Sequence, residues 1–314
     1  MKLSFVLPAY NVAPFLQKCL DSIYSQNIEL EDYEVIVIND GSTDDTEKIL
    51  ELFASKYSNF RFYSIKNGGV GRARNFGMDR AKGDFIWFVD PDDIISKDVL
   101  SKIIGHLNAS MDIVFVGYQI IKGNRSINKV SFERGVWDTA DFLNSGNYHN
   151  TVWCKIFKRK FLSDNQLRFN ENLVVSEDLD FSFKALMKAD IVNTLNVLAY
   201  EYFIRNGSLM NRRDQETMNR LARQSLMTSR ELLKALSTID SKILRNAFEK
   251  WWDQFNYGLI LSLYRYNYSG KVRNEVICGL SSIGAYPLRS TSGFKKWVIK
   301  KPWLIKPYFK LRGL

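Results

Sequence analysis

The chain has 314 residues, of which 46% are hydrophobic and 25% charged, so it can bury at least one full-sized core. This excludes a disordered chain and a small disulfide-stabilised scaffold. The net charge of +10 is concentrated in residues 289–314, which hold eight basic residues and no acidic one. The other 36 basic and 34 acidic residues nearly balance, which argues against a nucleic-acid-binding protein.

The spacing of the cysteines and the hydropathy bear on the cellular compartment of the protein. Cys19, Cys154 and Cys278 are far apart without a CxxC pair, which argues against a disulfide framework or a thiolate zinc site. No apolar run approaches the roughly 18 to 20 residues of a membrane span. Pro8 interrupts the N-terminal apolar run before any signal-peptide cleavage site. The sequence therefore predicts a cytosolic protein.

Short apolar runs alternate with helical periodicity in the first hundred residues. The predicted strands are 3–7, 33–38, 60–65 and 84–89, and the predicted helices are Phe15–Tyr24 and Thr43–Tyr57. This alternation is typical of an α/β fold with a mostly parallel sheet flanked by helices.

The pattern changes after about residue 110. DIVFVGYQII predicts a strand, and DTADFL and DLDFSFKALMKA predict helices. From Asp214 to about Leu263 the periodicity is helical, which indicates a C-terminal helical extension. We expect an α/β domain over 1–212, a helical segment over 213–288 and a basic, aromatic tail over 289–314.

Polar turns follow three of the predicted strands. They begin at Pro8, Asn39 and Asp90. Because ligands of open α/β sheets bind beyond the carboxyl ends of the strands, these turns are candidate binding elements. Asp40 could accept hydrogen bonds from a base or a ribose, or belong to an ordinary polar turn. Tyr10 could stack on a base or be an exposed loop residue.

Glycine and hydroxyl residues surround these turns. Gly41 permits a tight turn, and Ser42 or Thr43 could cap the next helix. The run Gly68-Gly69-Val70-Gly71-Arg72-Ala73-Arg74 lacks both the dinucleotide and the P-loop spacing. A glycine run that leads into a basic helix still favours an anion.

Asp90, Asp92 and Asp93 place three carboxylates within four residues. Like charges this close repel one another unless a cation or solvent separates them. Oxygen ligands suit Mg²⁺ or Mn²⁺ bridged to a substrate phosphate. The alternative is an acidic cap on a following helix.

A second acidic pair, Glu177 and Asp178, follows Ser176 at a predicted helix start. Ser176 is a natural N-cap, and the two acids could serve only to stabilise the helix dipole. A helix N-terminus is expected to lower a carboxylate pKa, which weakens it as a base. His106 and His149 fit neither a zinc-protease motif nor a serine triad, so those hydrolase classes are excluded.

Three segments together resemble the inverting family 2 glycosyltransferases of the GT-A fold. They are SFVLPAYNV, VIVINDGSTDDT and GGVGRARNFGMDRAKGDFIWFVDPDD, in that order over roughly the first 100 residues. The resemblance continues more loosely through WCKIFKRKFL, LRFNENLVVSEDLDF and YEYFIRNGS to about residue 210. Asn39 departs from the family, which usually has an acid there.

The resemblance implies roles for individual residues. Asp178 would be the general base, Glu177 would neighbour the acceptor, and Asp92 would bind Mn²⁺ or Mg²⁺. The nucleotide would be held by residues on several turns, namely Pro8, Tyr10, Asp40, Arg74 and Asp90. The implied reaction moves a sugar from a nucleotide-diphospho-sugar, by preference a UDP-sugar, to a glycan or lipid-linked acceptor in cell-surface polysaccharide synthesis.

Two basic segments have less specific interpretations. Arg205, Arg212 and Arg213 lie in RNGSLMNRR, which could close over the diphosphate or be a solvated loop. In the tail, basic residues alternate with aromatic ones such as Trp297 and Trp303, which favours peripheral attachment to the inner face of a membrane over a solvated tail.

Two other functions compete with sugar transfer. A sugar-nucleotide nucleotidyltransferase would need a basic, glycine-rich loop after the first strand, where this chain has Pro8-Ala9-Tyr10. A non-catalytic module that binds a sugar nucleotide or a membrane remains open if Asp178 is only a helix cap.

Overall fold

Strands and helices alternate through the first hundred residues of the computed structural model, which describes residues 1–205, 214–266 and 268–286. The elements are β1 (Leu3–Ala9), α1 (Ala13–Tyr24), β2 (Tyr33–Asn39), α2 (Thr46–Lys56), β3 (Phe60–Ser64), α3 (Val70–Arg80) and β4 (Phe85–Phe88). The strands and helices predicted for this part are confirmed, apart from shifted ends.

The following residues combine short strands and helices. They form β5 (Ile94–Ile95), α4 (Leu100–His106), β6 (Ile113–Lys122), β7 (Arg125–Val130), β8 (Gly135–Asp138), α5 (Thr139–Asn144), β9 (Lys155–Lys158), α6 (Arg159–Asp164), α7 (Glu177–Lys188) and β10 (Ile191–Ile204). The predicted strand at DIVFVGYQII and the two predicted helices correspond to β6, α5 and α7.

The described strands form one sheet in the order β3-β2-β1-β4-β9-β6-β10-β5, and β7 and β8 pair with β6 and β10. Neighbours are parallel from β3 to β4, and again between β6 and β10. The antiparallel β9 joins these two parts. The predicted α/β class is confirmed. Since β1, β2 and β4 are parallel neighbours, the turns after them lie at one edge of the sheet.

The sheet is deeply buried where it carries that edge. Every residue of β1 and β2 is buried, as expected for parallel strands covered on both faces. Helix α3 packs directly on these two strands. A Cβ added to Gly77 would overlap Cγ1 of Val6 and lie 3.3 Å from Cγ1 of Ile38, so the absence of a side chain permits this approach.

The chain contains two compact units. The first comprises Met1–Phe142 and His149–Arg205, and the second comprises Leu143–Tyr148 and Asn206–Leu314. The second contains α8 (Gln215–Leu236), α9 (Lys242–Arg265) and α10 (Gly270–Ser282), which confirms the predicted helical extension. The boundaries at 212 and 288 stay a prediction.

Each of these three helices begins with a side-chain cap. Asp214, Ser241 and Ser269 accept hydrogen bonds from the backbone N–H of Thr217, Leu244 and Val272. None of the helices in the described part of the chain combines the length and the hydropathy that a membrane span requires.

The close packing of α3 leads to a stability prediction. We expect Gly77→Ala to lower the free energy of unfolding by about 1 to 3 kcal/mol, because the methyl group overpacks the stiff Val6 side chain. Gly105, in α4, is the control, because an added Cβ there meets no atom within 4 Å. Gly105→Ala should be neutral or stabilise by up to about 1 kcal/mol. Urea denaturation measures both, and equal effects would contradict this account of Gly77.

Candidate active site

Side chains connect the turns after β1 and β2. Asn11 has a left-handed backbone with φ of 52°, and its Oδ1 accepts a hydrogen bond from Thr43 N at 2.8 Å. Asn11 N donates to Ser42 Oγ at 3.0 Å. The prediction that Ser42 or Thr43 caps α2 is therefore wrong. The helix begins three residues after Thr43, and Asp44 Oδ1 accepts from Thr46 N at 3.1 Å.

Asp40 is the acceptor for the glycine run. Its carboxylate accepts hydrogen bonds from Gly68 N and Gly69 N, both at 2.8 Å, and the residue is 3% exposed. Gly69 has a φ of 92°, which favours glycine. The anion that these two N–H groups bind is thus the side chain of Asp40. Each carboxylate oxygen keeps a lone pair for a further donor.

The remaining predicted nucleotide residues on this edge differ in exposure. Pro8 is buried within β1, and Tyr10 is 52% exposed directly after that strand. Asn39, at the end of β2, accepts a hydrogen bond from Ser42 N at 3.0 Å. Its amide donates to Ser64 Oγ at 3.2 Å, so Asn39 supports the turn that carries Asp40.

The acidic turn after β4 does not cap a helix. Strand β5 follows it, and α4 begins only at Leu100, so the helix-cap interpretation is wrong. Asp93 is 2% exposed and accepts hydrogen bonds from Tyr200 Oη and Phe203 N, each at 2.9 Å. Asp92 is paired with Arg205, whose Nη1 lies 2.6 Å from Asp92 Oδ2. Arg205 Nη2 also lies 3.8 Å from Asp93 Oδ1, so one guanidinium faces both of these acids.

Arg74 is buried and holds two acids at once. Its Nη2 lies 2.8 Å from Oδ1 of Asp90, and its Nη1 lies 2.6 Å from Oε1 of Glu177. The guanidinium also lies 5.3 Å from the centre of the Phe169 ring. Arg74 thus joins the acidic turn after β4 to the first turn of α7. Spacing along the chain gave no indication of this pairing.

Asp178 follows Glu177 at the start of α7. Ser176 occupies the N-cap position with a left-handed φ of 62°, but its side chain makes no capping hydrogen bond. Burial, reinforced by the neighbouring Glu177 charge, raises the pKa of Asp178 to about 7, although Arg74 opposes the shift. The expectation of a lowered pKa was wrong, because burial outweighs the helix terminus. A carboxyl group with this pKa is suited to general-base chemistry near neutral pH.

Among the described residues of this region, acidic groups outnumber basic ones. The acids are Asp90, Asp92, Asp93, Glu177 and Asp178, and the bases that pair with or lie near them are Arg74, Arg205 and Lys155. Burial and the neighbouring acids raise the pKa of Asp92, and raise that of Asp93 further. The excess negative charge favours a bound cation.

The donor set fits a divalent ion only in part. In residues 1–205, 214–266 and 268–286, no three His, Cys, Asp or Glu side chains are arranged to hold a metal ion by themselves. Asp92 is half-exposed, and its carboxylate could supply one or two oxygen ligands. Mg²⁺ and Mn²⁺ commonly complete such a shell with water and substrate phosphates, so the residues fit an ion that arrives with a diphosphate.

Lys155 is a feature of this region that sequence reasoning missed. Its ammonium is fully buried and donates to the carbonyl oxygens of His149, at 2.7 Å, and Thr151. Burial lowers its pKa, while Cys154 and Asp178 oppose the shift. The available signal was a lysine in the otherwise apolar start of WCKIFKRKFL.

The structure brings most of the predicted residues together at one sheet edge. Three ion pairs lie here: Arg74 pairs with Asp90 and with Glu177, and Arg205 pairs with Asp92, two residues after Asp90. Arg212, Arg213 and the tail lie outside the described residues. Arg205 also stacks on Phe15, with its guanidinium 3.9 Å from the ring centre.

Comparison with known families agrees with this geometry. Residues 4–165 match the model of glycosyl transferase family 2, which is about half of the chain. The chain belongs to glycosyl transferase family 2. This membership agrees with the resemblance seen in the sequence and with the predicted enzyme class, and it disfavours the nucleotidyltransferase alternative.

Individual proteins of known sequence and structure are also similar to this chain. A poly(ribitol-phosphate) beta-glucosyltransferase of Bacillus spizizenii is 31% identical over 207 residues, 65% of this chain and 32% of the relative. The chain thus spans about a third of the length of the first curated relatives. The structure of Staphylococcus aureus TarS residues 1–349 with UDP-GlcNAc has a TM-score of 0.65 and 23% identity. The match covers 91% of this chain and 89% of that fragment.

A second similar structure has a lower sequence identity to this chain. A mannosyltransferase of Pyrobaculum calidifontis, solved with GDP-Man and Mn²⁺, has a TM-score of 0.60 and 15% identity. It covers 99% of this chain and 82% of that one. The two structural likenesses show that this family 2 member has the GT-A type of fold.

The Arg74 pairing can be tested by its contribution to stability. We expect Arg74→Met to lower the free energy of unfolding by about 3 to 5 kcal/mol, because it leaves the charges of Asp90 and Glu177 uncompensated. Urea denaturation measures this loss.

Arg168→Met is the matched control. Arg168 pairs with Asp79 in a surface ion pair in which both side chains are nearly half exposed. Such pairs contribute at most about 1 kcal/mol. If both arginine variants lost the same stability, the account of Arg74 as a buried, shared cation would be wrong.

Proposed function

We propose that this family 2 member is a metal-dependent inverting glycosyltransferase that moves a sugar from a UDP-sugar to a hydroxyl of a cell-surface glycan or lipid-linked acceptor. The observation that carries the proposal is the Arg74 pairing, because it joins the acidic turn of Asp90 and Asp92 to the helix start of Glu177 and Asp178. Donor and acceptor chemistry would then meet at one site.

The choice of donor and acceptor rests on the relatives. The Bacillus relative is named a beta-glucosyltransferase, and the TarS relatives are named beta-N-acetylglucosaminyltransferases, both of poly(ribitol-phosphate). The TarS structure contains UDP-GlcNAc. These names favour UDP-glucose or UDP-GlcNAc as donor, and a hydroxyl-bearing surface polymer as acceptor.

Nucleotide binding is assigned to the sheet edge. The Asp40 carboxylate, with a lone pair left on each oxygen, would accept a hydrogen bond from the base. The exposed Tyr10 would stack on the base, and the buried Pro8 would shape the turn beneath it. Asp90, fixed by Arg74, would face the ribose.

Asp92 is the proposed metal ligand. Mn²⁺ or Mg²⁺ bound there would act as a Lewis acid toward the leaving diphosphate. Arg205, which pairs with Asp92, would also face the diphosphate of a donor whose metal ion shares that carboxylate. The excess of acids over bases supports this role for Asp92.

Asp178 is the proposed general base. It would accept the proton of the acceptor hydroxyl as that oxygen forms a bond to C1 of the sugar, while the bond from C1 to the diphosphate oxygen breaks and UDP leaves. Attack on the face opposite to UDP inverts the anomeric centre. Glu177, held by Arg74, would border the acceptor and keeps the pKa of Asp178 high.

Asp178→Asn and Asp92→Asn should separate the two halves of this mechanism. We expect Asp178→Asn to reduce transfer by about 10²- to 10⁴-fold, because the base is lost, and to leave metal-dependent UDP binding intact. In the wild type, kcat/KM should fall as the pH drops below about 7, since protonation inactivates Asp178. Release of UDP from UDP-GlcNAc and UDP-glucose measures the rate.

Thermal unfolding with UDP measures binding in the same variants. A ligand at 100 times its Kd adds about 2.7 kcal/mol to stability, which shifts the midpoint by several degrees. The shift should need Mn²⁺ or Mg²⁺ in the wild type and in Asp178→Asn, and should lose its metal dependence in Asp92→Asn. The absence of any UDP shift in the wild type would refute the proposed function.

We further propose that residues 289–314 attach the protein to the inner face of a membrane. Eight basic residues without an acid, alternating with aromatic residues, support this. Each basic residue near an anionic surface contributes about 1 kcal/mol, and aromatic rings favour the interface. Attachment would bring the enzyme close to a lipid-linked acceptor.

A truncation tests the role of this segment. Removal of residues 289–314 should abolish co-sedimentation with vesicles that contain anionic phosphatidylglycerol. Binding of the full chain should weaken as salt increases and with neutral phosphatidylcholine vesicles. Unchanged co-sedimentation of the truncated chain would contradict the proposal.

A further inference from the structure

The helical unit contains a cavity of about 510 Å³ between side chains of α8 and α9. Its wall combines apolar and charged groups, among them Leu236, Arg245, Glu249, Lys250, Trp252 and Asp253. Ligand sites in proteins commonly have this size and this combination of apolar lining with a few polar groups.

Asp253 is the unusual member of this wall. The residue is 5% exposed, and within the described residues its carboxylate takes part in no hydrogen bond or ion pair. Its oxygens are not among the solvent-excluded, unpaired atoms of the described residues, so the carboxylate is open to the cavity. Since Asp253 lines the cavity, a ligand in the cavity can supply the missing donors.

Asn256, three residues further along α9, has a hydrogen-bond donor that finds no acceptor among the described residues. It is fully buried, and its Oδ1 accepts a hydrogen bond from Ser229 Oγ at 2.6 Å. Its Nδ2 donates to no described atom. Residues three apart lie on the same side of a helix, so an unused acceptor and an unused donor are neighbours. Asn256 does not line the cavity, so of these two side chains only Asp253 is open to a ligand.

The charges on the wall argue against an anionic ligand. The Arg245 guanidinium donates to the carbonyl oxygen of Ile239 at 3.0 Å, and the Lys250 ammonium donates to Oδ1 of Asn144 at 2.7 Å. Both cations thus have neutral acceptors in the protein, and the two acids of the wall balance their charge. Asp253 and Glu249 would repel a phosphate or a carboxylate.

Trp252 provides a firmly held apolar side chain in the wall. Its indole N–H donates to the carbonyl oxygen of Ser229 at 2.9 Å, which fixes the orientation of the ring. Leu236 adds further apolar surface. The faces of a sugar ring that carry C–H groups can pack against such side chains while the sugar hydroxyls form hydrogen bonds with polar groups.

We propose that this cavity binds a neutral, hydroxyl-rich ligand, a sugar or alditol unit of a glycan, with Asp253 as acceptor for its hydroxyls. The site does not depend on the proposed transfer reaction. Its binding is measured with the donor site saturated by UDP, so failure of one proposal leaves the other standing.

Saturation-transfer NMR on the full chain tests the proposal, with N-acetylglucosamine, chitotetraose and ribitol as probes. At least one probe should bind the wild type. Asp253→Asn and Asp253→Leu should weaken that binding by about 10- to 100-fold, the value of hydrogen bonds to a charged group. Asp240→Asn, at an exposed position of the same unit, is the control and should bind as the wild type does.

A second readout distinguishes ligand binding from a structural role. Because Asp253 has no partner in the described residues, its replacement should leave the unfolding midpoint of the ligand-free variants unchanged or raise it. If the carboxylate had a structural role instead, its removal would lower the midpoint. A lowered midpoint overturns the proposal. So does undiminished binding by both variants, the absence of binding by all three probes, or a site that takes only a cation such as spermidine.

Discussion

The sharing of one buried guanidinium by two acids from distant parts of the chain underlies the candidate active site. Arg74 is stable inside the protein only because Asp90 and Glu177 both pair with it, and each acid is stable there because of Arg74. The start of α7 is therefore tied to the turn after β4. Any group on that first helical turn, Asp178 included, keeps a defined place beside the acidic turn.

The second constraint is the excess of acidic over basic side chains among the described residues around Arg74. Asp92, Asp93 and Asp178 all have raised pKa values, because burial and neighbouring acids outweigh the available arginines. Asp93 is compensated structurally by Tyr200 and a backbone N–H. The less restrained Asp92 and Asp178 are the acids to which we assign chemistry, as expected where a site gives up stability for function.

The turn residues at the sheet edge have a structural role in addition to the binding role that we propose for them. Asp40 and the glycine run resemble two separate ligand-binding features in the sequence, yet they bind each other. Asn11 likewise joins the turns after β1 and β2. Such mutual support holds the backbone of the edge in place, which is what a preorganised nucleotide site requires.

The alternation of apolar strands with helices was enough to predict the α/β class and the sheet edge that carries the turns of Tyr10, Asp40 and Asp90, because parallel neighbouring strands end at the same side. The order of motifs was enough to predict the family. Only the tertiary structure decided that Arg74 pairs with Glu177 and that the pKa of Asp178 is raised. Spacing along a chain carries no information about which charges meet across a hundred residues, and burial is a property of packing.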